Sequence, residues 1–99
     1  MCGIIGYSNS SKWVVDLASA TKILKHRGPD DDGIYECKQN GIGLGHTRLS
    51  IIDTSDNGKQ PFESQESKSV ITFNGEIYNY KELKKDLLAK KCGFNSNTD

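Results

Sequence analysis

Ile42-Gly43-Leu44-Gly45-His46-Thr47-Arg48 is the stretch on which the fold class of this chain turns. Side chains of a strand alternate between its faces. Ile42, Leu44, His46 and Arg48 therefore share one face, and Gly41, Gly43, Gly45 and Thr47 line the other. A face of glycines lets another element pack very close to the backbone. Just upstream, Gln39-Asn40-Gly41 is a hairpin signal, and Ile34-Tyr35-Glu36-Cys37 reads as the paired strand. Ser50-Ile51-Ile52-Asp53 extends or follows the glycine-faced strand.

The flanking segments complete an α+β order. Gly3-Ile4-Ile5-Gly6-Tyr7 reads as a short buried strand. Asn9-Ser10-Ser11 supplies capping side chains for a helix. Its apolar positions are Trp13, Leu17, Ala20 and Leu24, flanked by Val14 and Thr21, and it should end near Lys25 because Gly28-Pro29 cannot continue it. Residues 27–33 form a turn-rich loop and residues 54–69 a polar surface loop around Gln60-Pro61-Phe62. Val70-Ile71-Thr72-Phe73-Asn74 is the clearest strand. Tyr80, Leu83 and Leu87 mark a second amphipathic helix, with Glu82, Lys84, Lys85 and Lys91 towards solvent. No internal repeat or low-complexity tract interrupts this order.

Composition bounds the possibilities. A chain of 99 residues supports one small domain, which buries only about 60–65% of its unfolded surface. An apolar fraction of 34% and a mean hydropathy of −0.61 are low for a self-sufficient core. Thirteen basic residues balance thirteen acidic ones, so charge gives no reason to expect nucleic acid or an anionic membrane as partner. No apolar run approaches the ~18 residues of a membrane span, and the N-terminus lacks a signal-peptide pattern. Three cysteines, Cys2, Cys37 and Cys92, without CxxC spacing argue against a disulfide framework and a zinc site. Reduced thiols and a cytoplasmic setting are the simpler reading. The chain closes on Asn97-Thr98-Asp99 directly after a Gly-Phe segment, and it reads as the front half of a larger domain.

Cys2 follows the initiator Met. Removal of Met1, favoured by small second residues, gives one residue both a thiol and a free α-amine. The thiol titrates near ~8.5 and the amine near ~7.7–8.0, so part of the amine can accept a proton near neutral pH. A nucleophile paired with the chain's own terminal amine is an established catalytic solution. Cys2 is the candidate nucleophile; Cys37 and Cys92 are expected as buried packing thiols. His46 has no ligand-type residue three or four positions on, and His26 has Asp30 at that spacing but with Gly28-Pro29 between them ruling out a shared helical face, so both read as structural. Asp30-Asp31-Asp32 fails the calcium-loop template and reads as a turn, as does the segment after Asp53. No metal is expected.

Five motifs in register raise the odds for Cys2. Met1-Cys2-Gly3-Ile4, Arg27-Gly28-Pro29-Asp30, Gly45-His46-Thr47-Arg48-Leu49-Ser50-Ile51-Ile52-Asp53, Phe73-Asn74-Gly75-Glu76-Ile77-Tyr78-Asn79 and Asn97-Thr98-Asp99 occur in that order. Together they closely resemble the glutaminase domain of glutamine-dependent asparagine synthetases, a class II glutamine amidotransferase and N-terminal nucleophile hydrolase. The resemblance covers residues 1–99, and the acidic pair and Gly after Arg-Gly-Pro-Asp look like the asparagine synthetase version of that loop. It implies a four-layer αββα sandwich of which only the N-terminal half is present, and hydrolysis of L-glutamine to glutamate and ammonia.

Each role has a chemical reason. Asn74 offers a side-chain NH2 and Gly75 a backbone N–H to a tetrahedral oxyanion, each worth on the order of 3–4 kcal/mol; alone, Asn-Gly is also the strongest short hairpin-turn signal. Arg48 has the planar fork that grips a carboxylate. Leu49, Ser50, Ile51 and Ile52 would supply backbone groups and apolar wall. The family pattern places Glu76 and Asp99, within Ser96-Asn97-Thr98-Asp99, on the substrate's α-ammonium. No cofactor is implied for this segment. ATP and Mg2+ are implied for a C-terminal synthetase domain that makes asparagine from aspartate, and no Ser-Gly-Gly-x-Asp-Ser nucleotide loop occurs here. That domain and L-glutamine are the implied partners, and a homodimer is left open. The 99 residues are expected to be neither stable nor active alone. The rival readings are an amidotransferase with another ammonia acceptor, such as a sugar or cell-wall precursor, and a non-catalytic remnant that binds partners.

Overall fold

The computed structural model describes residues 1–8, 16–50, 55–66, 68–94 and 96. Its elements are β1 (Gly3–Ser8), α1 (Leu17–Ile23), β2 (Asp31–Cys37), β3 (Ile42–Arg48), β4 (Phe62–Glu63), β5 (Val70–Ile71) and α2 (Tyr80–Ala89). Among the described residues they form an α+β unit with an antiparallel sheet ordered β1-β3-β2 and a separate β4-β5 ribbon. The opening stretch is the central strand, paired with Gly3–Ser8 on one side and Asp31–Cys37 on the other.

Local chemistry explains the sheet. Cys37 and Ile42 face each other across the hairpin, and Gly41 closes it with a φ of 61°, a conformation only glycine adopts without strain. The glycine face of β3 receives α1 as expected. A Cβ at Gly45 would run into the side chains of Thr21 and Ile5, so the close approach needs glycine there. Thr21 and Leu17 are 2% and 1% exposed, and the Thr21 hydroxyl donates to the Leu17 carbonyl at 2.7 Å. Leu17 is the one apolar residue of this core with its side chain fully covered among the described residues; burying it contributes roughly 2 kcal/mol. The opposite face, carrying His46 and Arg48, lies under residues 55–61 and Thr72.

Four local expectations are corrected. The Asn9-Ser10-Ser11 cap and Trp13 lie outside the described residues, and the described helix is capped by Asp16, which accepts from Ser19 N and Ser19 Oγ at 3.1 and 2.7 Å. The helix ends in a 3-10 turn over Leu24–His26, close to the expected stop. Asp31 and Asp32 belong to β2, paired with Arg48 and Thr47, because ladder bonds outcompete a turn. Lys59 and Lys25 sit 3.3 and 3.5 Å from their carboxylates. Of the expected strand at 70–74 only Val70–Ile71 pairs, with Phe62–Glu63. Beyond it, side chains take the polar groups: Thr72 Oγ1 bonds His46, and Phe73 N donates to Gln60 Oε1 at 2.6 Å.

The fourth correction concerns Lys84. Its ammonium donates to Ser96 O at 2.9 Å and sits 5.2 Å from the centre of the Phe94 ring. The chain reverses after α2 to bring those groups back. Cys92 N donates to Leu87 O and Lys91 N to Leu88 O, both at 3.0 Å, the paired bonds of a Schellman C-cap. Lys91 occupies the left-handed position with a φ of 65°, where glycine is the unstrained residue. Lys91→Gly is therefore expected to stabilise the protein by about 1 kcal/mol, read as a higher denaturant midpoint at unchanged slope. A lower midpoint would refute the cap. Helix α2 buries none of its residues, with Leu83, Leu87 and Leu88 between 40% and 52% exposed.

Candidate active site

The register of β1 on β3 decides where Cys2 sits. Gly3 is paired with Thr47, so the residue before Gly3 meets the residues after Thr47. The half-buried Cys2 sulfur accepts from Leu49 N at 3.3 Å and its thiol faces Leu49 O at 3.8 Å. Gly3 N donates to Thr47 Oγ1 at 3.1 Å, and that hydroxyl donates on to Leu24 O at 3.0 Å, fastening the start of β1 to the end of α1. Met1 is 75% exposed, open to removal.

The Arg27-Gly28-Pro29-Asp30 loop closes over the same spot. Arg27 Nε donates to Cys2 O at 3.1 Å. Asp30 N donates to Arg48 O at 3.0 Å, and Asp30 Oδ2 accepts from Ser50 N at 2.7 Å. One loop thus grips the backbone of Cys2 and both sides of Leu49. Arg27, Asp30 and Thr47 were not singled out for this work from the sequence. The one available signal was that the four-residue motif belongs to the resemblance.

Arg48 is 7% exposed at the end of β3. Its NH1 donates to Ser55 O at 2.6 Å, and its guanidinium lies against Gly58, where a Cβ would collide with it. A cleft of about 430 Å3 is lined by Asp30, Asp31, Arg48, Ser50 and Asp56, one cation among three carboxylates. Leu49 and Ser50 are half-buried. Ile51, Ile52 and Asp99 lie outside the described residues.

Asn74 and Gly75 follow β5, half-buried and exposed respectively, with the Phe73 ring packed against Gly75. No second strand returns from Gly75; the next element is α2, so Asn74-Gly75 is not the turn of a hairpin. Among the described residues no hydrogen bond joins Asn74, Gly75 or the exposed Glu76 to Cys2, and the Arg48 cleft is lined by residues other than Cys2 and Asn74. The structure thus brings Cys2 against Leu49, between Arg48 and Ser50 in the chain.

The other polar candidates resolve simply. His26 bonds Ile23 O at 3.0 Å at the exposed end of the first helix. His46 is fully buried, with Nδ1 2.8 Å from Thr72 Oγ1. Burial, with the Arg48 charge adding to it and Asp31 opposing, lowers its pKa from the usual 6.5, so the imidazole is neutral near pH 7. The expectation of buried packing thiols fails for Cys92, which is exposed beyond the α2 cap, and Cys37 is half-buried at a strand end. Among the described residues no three His, Cys, Asp or Glu side chains gather as a metal site would need, and no helix is long and apolar enough to cross a membrane.

The glutamine amidotransferase domain family matches residues 1–99. The chain belongs to that family. A Bacillus subtilis protein named glutamine-hydrolyzing asparagine synthetase 1 is 41% identical over 106 residues, covering 100% of this chain and 16% of its own length. A Brassica oleracea protein named glutamine-hydrolyzing asparagine synthetase is 44% identical over 104 residues, covering 100% of this chain and 17% of its own. A Gibberella zeae protein named amidase chry2 is 38% identical over 112 residues, covering 100% and 16%. The chain thus spans about a sixth of the length of these relatives. The Cys2 sulfur is seated on the backbone of Leu49, next in sequence to Arg48, whose cleft is lined by other residues.

Proposed function

We propose that this amidotransferase domain hydrolyses L-glutamine to glutamate and ammonia, with Cys2 as nucleophile after Met1 is removed. The observation that carries the reading is the Cys2 sulfur held by the Leu49 backbone one residue from Arg48. Arg48 takes the substrate α-carboxylate, residues 49–52 form the wall, and Glu76 and Asp99 take the α-ammonium. The thiol proton passes to the Cys2 α-amine as sulfur bonds the δ-carbon. Asn74 Nδ2 and Gly75 N donate to the oxyanion, for which residues 74–76, beyond Thr72, settle on the bound substrate. The protonated Cys2 α-amine gives its proton to the amide nitrogen as the C–N bond breaks, the oxyanion re-forms the carbonyl, and ammonia departs to leave a thioester. Water, losing a proton to the amine, attacks the thioester; glutamate departs and the thiol is restored.

The ammonia is delivered to a synthetase domain of the same polypeptide that makes asparagine from aspartate. ATP and Mg2+ would serve that domain, and no step above passes through them. The α+β unit is the N-terminal part of a four-layer αββα sandwich, a reading supported by the uncovered apolar residues of α2. The setting is cytoplasmic and reducing, which keeps Cys2 a free thiol. A second reading, delivery of ammonia to a different acceptor, is favoured by one observation, the Gibberella zeae relative named as an amidase. Incubating the full-length polypeptide with glutamine should release glutamate, and 6-diazo-5-oxo-norleucine should leave an adduct on Cys2 seen by mass spectrometry. Absence of both would leave a non-catalytic module. Glutamate release without asparagine, when aspartate and ATP are supplied, would favour the second reading.

A further inference from the structure

We infer that His46 is a positioning residue, holding the segment that carries Asn74 and Gly75 to the strand that carries Arg48, through its bond to Thr72. The inference rests on the glutaminase reading above. His46 is fully buried in the central strand, two residues before Arg48, opposite Ile4 of β1 and Gly33 of β2. Its Nδ1 lies 2.8 Å from Thr72 Oγ1, a contact spanning 26 positions of sequence. Thr72 is two residues before Asn74 and just past the end of β5, where no ladder holds the backbone. A second tie on this stretch is Phe73 N to Gln60 Oε1 at 2.6 Å, and the Gln60 backbone packs over Gly33.

Packing alone does not account for an imidazole here. His46 Nε2 is buried with no hydrogen-bond partner among the described residues, a cost that an apolar side chain of similar shape would avoid. The bond to Thr72 is what the imidazole gains in exchange. The imidazole stays neutral near pH 7, so the tie does not depend on a charge that titrates there. Its geometric consequence is direct: the oxyanion donors and the substrate grip share one rigid reference, the sheet. An oxyanion donor misplaced by about 1 Å lowers the rate by up to about 100-fold, whereas substrate held by Arg48 still binds.

The test uses the full-length polypeptide. Thr72→Val removes the oxygen but keeps the shape, and should lower kcat for glutamine hydrolysis about tenfold with KM within about twofold. Thr72→Ser keeps the oxygen and should restore kcat. A Thr72→Val enzyme with unchanged kcat would overturn the inference, as would Thr72→Ser being equally slow, or a rise in KM alone. Should Thr72→Val not fold, Thr72→Ala against Thr72→Ser makes the same comparison; should Thr72→Ser not fold, Thr72→Val against the unmutated enzyme decides. Cys2 labelling by 6-diazo-5-oxo-norleucine in the unmutated protein separates the two failures. A labelled Cys2 with indifferent Thr72 variants sinks only the His46 tie, whereas no labelling and no glutamate sinks the glutaminase reading beneath it.

Discussion

Cys2→Ala should abolish glutamine hydrolysis, lowering kcat by about 10^4-fold or more, the scale on which removal of a nucleophile acts in hydrolases that form an acyl-enzyme. The substitution deletes the sulfur that Leu49 N now bonds and leaves the Cys2 carbonyl free to keep its bond from Arg27 Nε. Gly3 N keeps its bond to Thr47 Oγ1, so the start of β1 stays in register. The half-buried position loses one sulfur atom, a small change in packing. Glutamine should therefore still bind, because Arg48 is untouched and the wall after it loses only the bond from Leu49 N to sulfur. The measurements are steady-state glutamate release and calorimetric binding of glutamine to the variant. A variant that keeps more than about 1% of the unmutated kcat would show that another group performs the attack.

Asn74→Ala is the second large effect. An oxyanion-hole side chain typically contributes about 10^2–10^3 in kcat. The loss should fall on kcat, with KM for glutamine nearly unchanged, since the donor acts on charge that develops only in the transition state. Asn74 sits two residues beyond the Thr72–His46 bond, so the same kinetic signature in weaker form is expected from Thr72→Val. Single-turnover formation of the thioester would separate the chemical step from product release. An Asn74→Ala variant whose KM rises while kcat holds would assign the residue to ground-state binding.

The candidate site was read one motif at a time. Cys2 could be chosen because its position beside a cleavable Met gives it chemistry that no neighbour shares. Arg48 could be chosen because a guanidinium at the end of an alternating strand is the natural fork for a carboxylate. The helix at 80–89 and the hairpin through Gly41 follow from periodicity and turn residues, both local properties. What periodicity misjudged were places where a long-range partner overrides a local preference. Asp31 and Asp32 look like a turn until Arg48 and Thr47 pair with them. Thr72 and Phe73 look like strand until His46 and Gln60 take their polar groups. Lys84 looks solvated until the reversal after Lys91 brings Ser96 and Phe94 to it.

Residue types and their order were enough to establish the α+β class, the hairpin, the glycine-lined packing face and the candidate nucleophile, because each depends on a few neighbouring side chains. The central place of Ile42–Arg48, the seating of Cys2 on Leu49, the grip of Asp30 on Arg48 and Ser50, and the tie between His46 and Thr72 required three dimensions. The hydrogen bonds among those contacts join residues between 18 and 47 positions apart. Backbone and side-chain hydrogen bonds over such separations depend on strand register, and register is a property of the assembled sheet that no single segment carries.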